Sequence, residues 1–135
     1  MTVLVSDLSP IVDRILGRSF GWGACGPTHF SCLGLWLHVV ERATGIRIDD
    51  PYAAAADGKV AALWERVARI DGYDRLQPLD VIYQEPRLPK DLPGVSFVES
   101  PFWAVASSIR LGVHRLPLQE ALRPLPVVYR LKELV

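Results

Sequence analysis

The sequence predicts an α+β fold with N-terminal helices packed on a mainly antiparallel β-sheet. Apolar residues recur at helical spacing up to residue 70, whereas beyond residue 75 the apolar spacing becomes two and prolines punctuate it. Helices followed by strands, without alternation of the two, favour layers that segregate. The 135 residues are half apolar, enough for one core of ordinary size, so residues 1–135 are expected to form one domain.

Ser9-Pro10 reads as a helix cap followed by proline at the first helical position, with Ile11, Ile15 and Leu16 as the apolar stripe and Gly17 as the stop. Residues 18–29 hold Gly21, Trp22, Gly23, Gly26 and Pro27, too many special backbone residues for regular structure, and form a shaped loop. The spacing then predicts a helix over 31–44, stopped by Gly45. Cys32, Leu33, Trp36, Leu37, Val39, Val40 and Ala43 share its buried face, and His38, Glu41 and Arg42 the other.

Ile46 to Ile48 alternates as a short strand or an extended connection, Asp49-Asp50-Pro51-Tyr52 reads as a turn with a solvated acidic pair, and Ala53 to Ala56 as an added helical turn. Asp57 caps a helix expected from Gly58 to Ile70, with Val60, Leu63, Trp64 and Val67 inward. Strands follow at 79–83, 95–98, 103–106, 113–116 and 127–131. Prolines between them block strand edges.

Fifteen basic and fifteen acidic residues leave no net charge, and no run of Lys or Arg offers a footprint for nucleic acid. The longest apolar run, Leu33 to Val40, is far short of the ~20 residues of a membrane span. No secretory signal is visible in the first residues, so synthesis in the cytoplasm is expected, with Cys25 and Cys32 as reduced thiols. No cofactor is expected.

Cys32 carries the chemistry. A thiol at a helix start meets unpaired backbone N–H groups, which favour the thiolate by about 0.3–1 kcal/mol. Its order of features resembles the NlpC-type cysteine endopeptidases of bacterial cell walls, which have a papain-like fold. Gly21-Trp22-Gly23 precedes Ser31-Cys32-Leu33-Gly34-Leu35, similar to the Asp-Cys-Leu-Gly-Leu motif of phage and gene-transfer-agent tail peptidases. Leu76-Gln77-Pro78-Leu79-Asp80 resembles the family's Leu-x-Pro-Gly-Asp. Gly112-Val113-His114-Arg115-Leu116-Pro117-Leu118 and Val127-Val128-Tyr129-Arg130 match the tail peptidases' last segments.

The resemblance implies Cys32 as the candidate nucleophile, in a cleft with Trp22, Ser31 and Gly94. The family's catalytic histidine begins a His-Val-Gly-Ile strand, where this chain has Gly94-Val95-Ser96-Phe97, and the orienting strand offers no polar group before Ser107. The family's aspartate before the nucleophile is Ser31, and its glycine before Asp80 is Leu79. His38 lies ~9 Å along the helix and roughly 120° around it from Cys32, out of reach. His29 and His114 remain as replacement bases, His114 on the buried side of its strand. Loss of a positioned acid–base group typically costs about 10² to 10⁴ in rate.

The resemblance therefore implies a degenerate peptidase fold serving as a structural subunit of a virion tail, docked to hub or baseplate proteins at the tail tip. A second reading is an active cysteine endopeptidase that cleaves peptidoglycan stem peptides. A third is a metal-stabilised module built on Cys25, His29 and Cys32, soft ligands within eight residues, although no second ligand pair follows.

Overall fold

A computed structural model describes residues 1–49, 59–84, 94–123 and 126–135. The expected turn at 49–52 beyond Asp49, the helical turn at 53–56, the Asp57 cap and the proline turns at 86–93 and 124 lie outside these residues. Helix α1 spans Val5–Ile15, one turn earlier than the Ser9 cap predicted. Leu4 is the cap, its N–H donating to Asp7 Oδ2 at 2.8 Å, and the Asp7 charge suits the positive end of the helix. Pro10 then lies inside the helix, where the carbonyl it leaves without an N–H partner belongs to exposed Ser6. Leu8, Val12 and Ile15 are the buried stripe, and Leu16 turns out to be exposed.

Residues 19–20 (β1, Ser19–Phe20) and 29–30 (β2, His29–Phe30) form a two-residue parallel pair inside the shaped loop. Helix α2, Cys32–Thr44, is capped by Ser31, whose Oγ accepts the Gly34 N–H at 2.9 Å, and ends at Gly45 with φ 77°. It is buried nearly all round, Leu35 included, because α1, β2 and the sheet surround it. That corrects the one-faced helix read from the sequence. Gly34 is required by close approach: a Cβ there would stand 2.0 Å from the Ala24 carbonyl oxygen.

The helix expected up to Ile70 divides into α3, Lys59–Glu65, and strand β3, Val67–Ile70. Pairing decides this. Val67 lies opposite Leu131 and Ile70 opposite Val128, so a ladder overrides the local helical spacing. The remaining strands are β4 (Val81–Gln84), β5 (Gly94–Val98), β6 (Trp103–Ser108), β7 (Gly112–Pro117) and β8 (Val127–Leu131), with a short helix α4, Leu118–Ala121, before β8. With β3 these form one six-stranded sheet in the order β3-β8-β4-β5-β6-β7, in which every pair is antiparallel. The α+β class holds, and the five expected strands lie within two residues of their predicted ends.

Strand alternation sorts the sheet into two faces. Val67, Val81, Phe97, Val105, Val113 and Leu131 join α1 and α2 in the main core, while Ile82, Val98, Ala104 and Val128 join Ala121 of α4 in a smaller one. Each fully buried large apolar side chain contributes about 1.5–3 kcal/mol relative to exposure.

Candidate active site

Three pieces meet at the start of α2. The loop ending at Ser31 is tied down by Ser31 N–H to Ala24 O at 2.8 Å, and by the Ser107 hydroxyl, which donates to Phe30 O at 2.7 Å. Cys32 is therefore presented by a loop fixed from both sides. Beside it opens a cavity of about 420 Å³ between this loop, α3 and the sheet. Cys32, half-buried, lines it together with Trp22 and Ser31. Leu33, Trp36 and Leu63 add apolar wall, and Val81, Tyr83, Val95 and Tyr129 form the sheet side. Among the described lining residues there is no charged side chain and no histidine.

The three histidines of the chain all lie in described residues. His29 is exposed on β2 and is not part of the cavity wall. His38 is half-buried against Phe30, ring centroids 5.0 Å apart, not solvated as its helix face predicted. Burial above all, and then the Arg42 charge, holds its imidazole below the ordinary range. His114 pairs with Ala106 and shares the sheet face of Leu116, opposite to the face carrying Val113 and the α2 core. Its Nδ1 lies 2.8 Å from Gly112 O. His114 thus keeps the alternation with Leu116 read from the sequence, and the face they share is that of the smaller core, so the sheet separates His114 from Cys32.

Gly94 also falls on the far face. Its partner across the ladder is Gln84, whose Nε2 donates to Ala121 O at 3.0 Å and to Arg123 O at 3.1 Å, on the α4 side. The cavity-facing residue of this strand is Val95. The cleft expected from Trp22, Ser31 and Gly94 is thus lined by the first two, with Val95 in place of the third. A Cβ at residue 94 would meet only the Gln84 side chain, at 3.4 Å, so space alone does not demand glycine there.

Cys25 and His29 are exposed while Cys32 faces the cavity, and no group of three or more metal-ligating side chains is gathered among the described residues. Nor is any helix among them long and apolar enough to cross a membrane.

Contacts between distant segments, which no local sequence pattern pairs, hold the site's frame. Asp80, fully buried, accepts two bonds from Arg130, at 2.7 and 2.8 Å, and the Gln77 N–H at 2.8 Å. Glu99, 2% exposed, takes a two-pronged bond from Arg115, which also reaches Asp13 of α1 at 2.7 Å. The carboxylates hold the Arg115 guanidinium well above its ordinary range. Trp36 Nε1 donates to Leu79 O at 2.9 Å, joining α2 to the start of β4. The aromatic ladder Tyr83, Trp64 and Tyr129 had no local signal, since strand pairing across distant segments assembles it.

No family model matches the sequence, and no curated protein matches it. Solved structures do. An NlpC/p60 domain of the peptidoglycan hydrolase SagA superposes with a TM-score of 0.64 at 15% identity, over 94% of this chain and 97% of that one. NlpC2 from Trichomonas vaginalis gives 0.64 at 20% identity, over 93% of this chain and 45% of that one. A lipoprotein-like NLP/P60 protein of Staphylococcus aureus gives 0.64 at 17% identity, over 94% and 41%. This chain spans under half the length of the latter two. The fold is that of NlpC/p60 domains.

Proposed function

We propose that this chain is a catalytically silent NlpC-type domain acting as a small structural subunit of a phage or gene-transfer-agent tail, docked to a hub or baseplate protein. One observation supports the loss of catalysis: the described residues that line the cavity beside Cys32 are mostly apolar and include no imidazole, which a thiol peptidase needs. Amide cleavage needs a group beside the thiol that protonates the leaving amine, and the described residues lining the cavity include no histidine, carboxylate or lysine for it. The active-endopeptidase reading is not favoured by this geometry, because His29 is exposed outside the cavity and His114 lies across the sheet.

The tail placement is supported by the Cys-Leu-Gly-Leu run at Cys32 and the closing Val-Tyr-Arg strand, which resemble tail-associated members of the fold. Immunogold labelling of purified particles tests it. Label at the tail tip is the expected result, and particles complete in tail but free of this chain contradict it.

A further inference from the structure

We propose that the cavity beside Cys32 is a binding site for a neutral apolar small molecule about the size of a two- or three-ring aromatic. Its volume, about 420 Å³, is nearly three times that of a cavity of about 150 Å³ that takes benzene, and lies within the common range of ligand sites, about 300–1,000 Å³. The walls are held in place before any ligand arrives. Trp64 meets Tyr129 edge-on at 4.8 Å and Tyr83 at 6.1 Å, and Phe20 meets Trp22 at 4.9 Å. Two polar groups of the wall are already engaged: the Trp36 N–H with Leu79 O, and Ser31 Oγ with the Gly34 N–H.

The lining also sets the chemical class. A carboxylate or ammonium entering here would give up water without a charged partner among the described lining residues, so a stem peptide with its several charges is a poor occupant. A neutral hydrocarbon group loses nothing of that kind and removes apolar wall from water. Trp22 and Trp64 stand 67% and 43% exposed, large aromatic surfaces for a ligand to cover. This inference is independent of the tail role: it concerns what the cavity holds, whereas particle labelling and peptide turnover test docking and catalysis.

The test is fluorescence titration of the full chain with N-phenyl-1-naphthylamine, which is neutral, against its anionic relative 1-anilinonaphthalene-8-sulfonate. The expected result is saturable binding at one site per chain, at least tenfold tighter for the neutral dye. Val95→Trp and Leu63→Trp, which fill the cavity, are expected to weaken it at least tenfold. Unsaturable binding, equal affinity for the anionic dye, or full affinity in the filled variants while they unfold cooperatively would overturn the proposal. Should both variants fail to fold, alkylation of Cys32 in a Cys25→Ser background decides. Saturating neutral dye is expected to slow it at least fivefold, and an unchanged rate contradicts the site.

Discussion

Asp80 and Arg130, fifty residues apart, meet in a two-pronged ion pair with distances of 2.7 and 2.8 Å, the carboxylate fully buried and the guanidinium side chain 10% exposed. It joins the turn before β4 to β8, and Arg130 also donates to Arg75 O at 2.8 Å. Desolvation and hydrogen bonding from Asp80 act in opposite directions on the guanidinium, and the bonds to Asp80 win, raising its affinity for the proton. Removing one partner leaves the other buried and uncompensated. Arg130→Met and Asp80→Asn are therefore each expected to lower unfolding free energy by about 3–5 kcal/mol in urea denaturation. A loss under 1 kcal/mol would contradict the assigned frame.

Leu79 sits at φ 76°, the left-handed region, where the resembling family has glycine. Leu79→Gly removes about 1–2 kcal/mol of backbone cost, yet it also removes a fully buried leucine, and truncation of such a side chain costs about 2–5 kcal/mol. Glycine's extra freedom in the unfolded chain adds to the loss. The side chain wins, and a net destabilisation of about 1–3 kcal/mol is expected by chemical denaturation. Stabilisation would show that the strain dominates.

His38 titrates below the ordinary imidazole range in the folded chain, first because of burial. Below pH 6.5 the unfolded chain then binds more protons at this site than the folded one, so this site's contribution to stability is full above pH 6.5 and falls as the pH drops from there toward the folded value. Unfolding free energies at pH 5.5 and 7.5 test this. His38→Asn is expected to flatten the slope between them, and an unchanged slope contradicts the assignment.

Gly94→His is expected to leave the alkylation rate of Cys32 by iodoacetamide within twofold of the parent in a Cys25→Ser background, because residue 94 faces α4 with Gln84. A tenfold rise near neutral pH would show that an imidazole at residue 94 reaches the thiol.

The parts legible in the sequence are those whose cause is local. Ser31 and Gly45 bound α2 as read, because capping depends on neighbouring residues. The strands after residue 75 follow their period of two. Val67–Ile70 became a strand through partners more than fifty residues away, and no window around it contains that fact. Of the site, the position of Cys32 at a helix start was legible. The orientation of residue 94 was not, since it depends on ladder register, and a one-residue step along a strand exchanges its faces. Asp80 and Arg130 were each visible in a family-like segment, but only the fold pairs them.

Loss of catalysis is the central claim, and turnover of peptidoglycan stem peptides by the purified chain tests it most directly, with Cys32→Ala as the control. Release of product should be the same for parent and variant and no greater than in buffer. Turnover by the parent that disappears in Cys32→Ala would contradict the account.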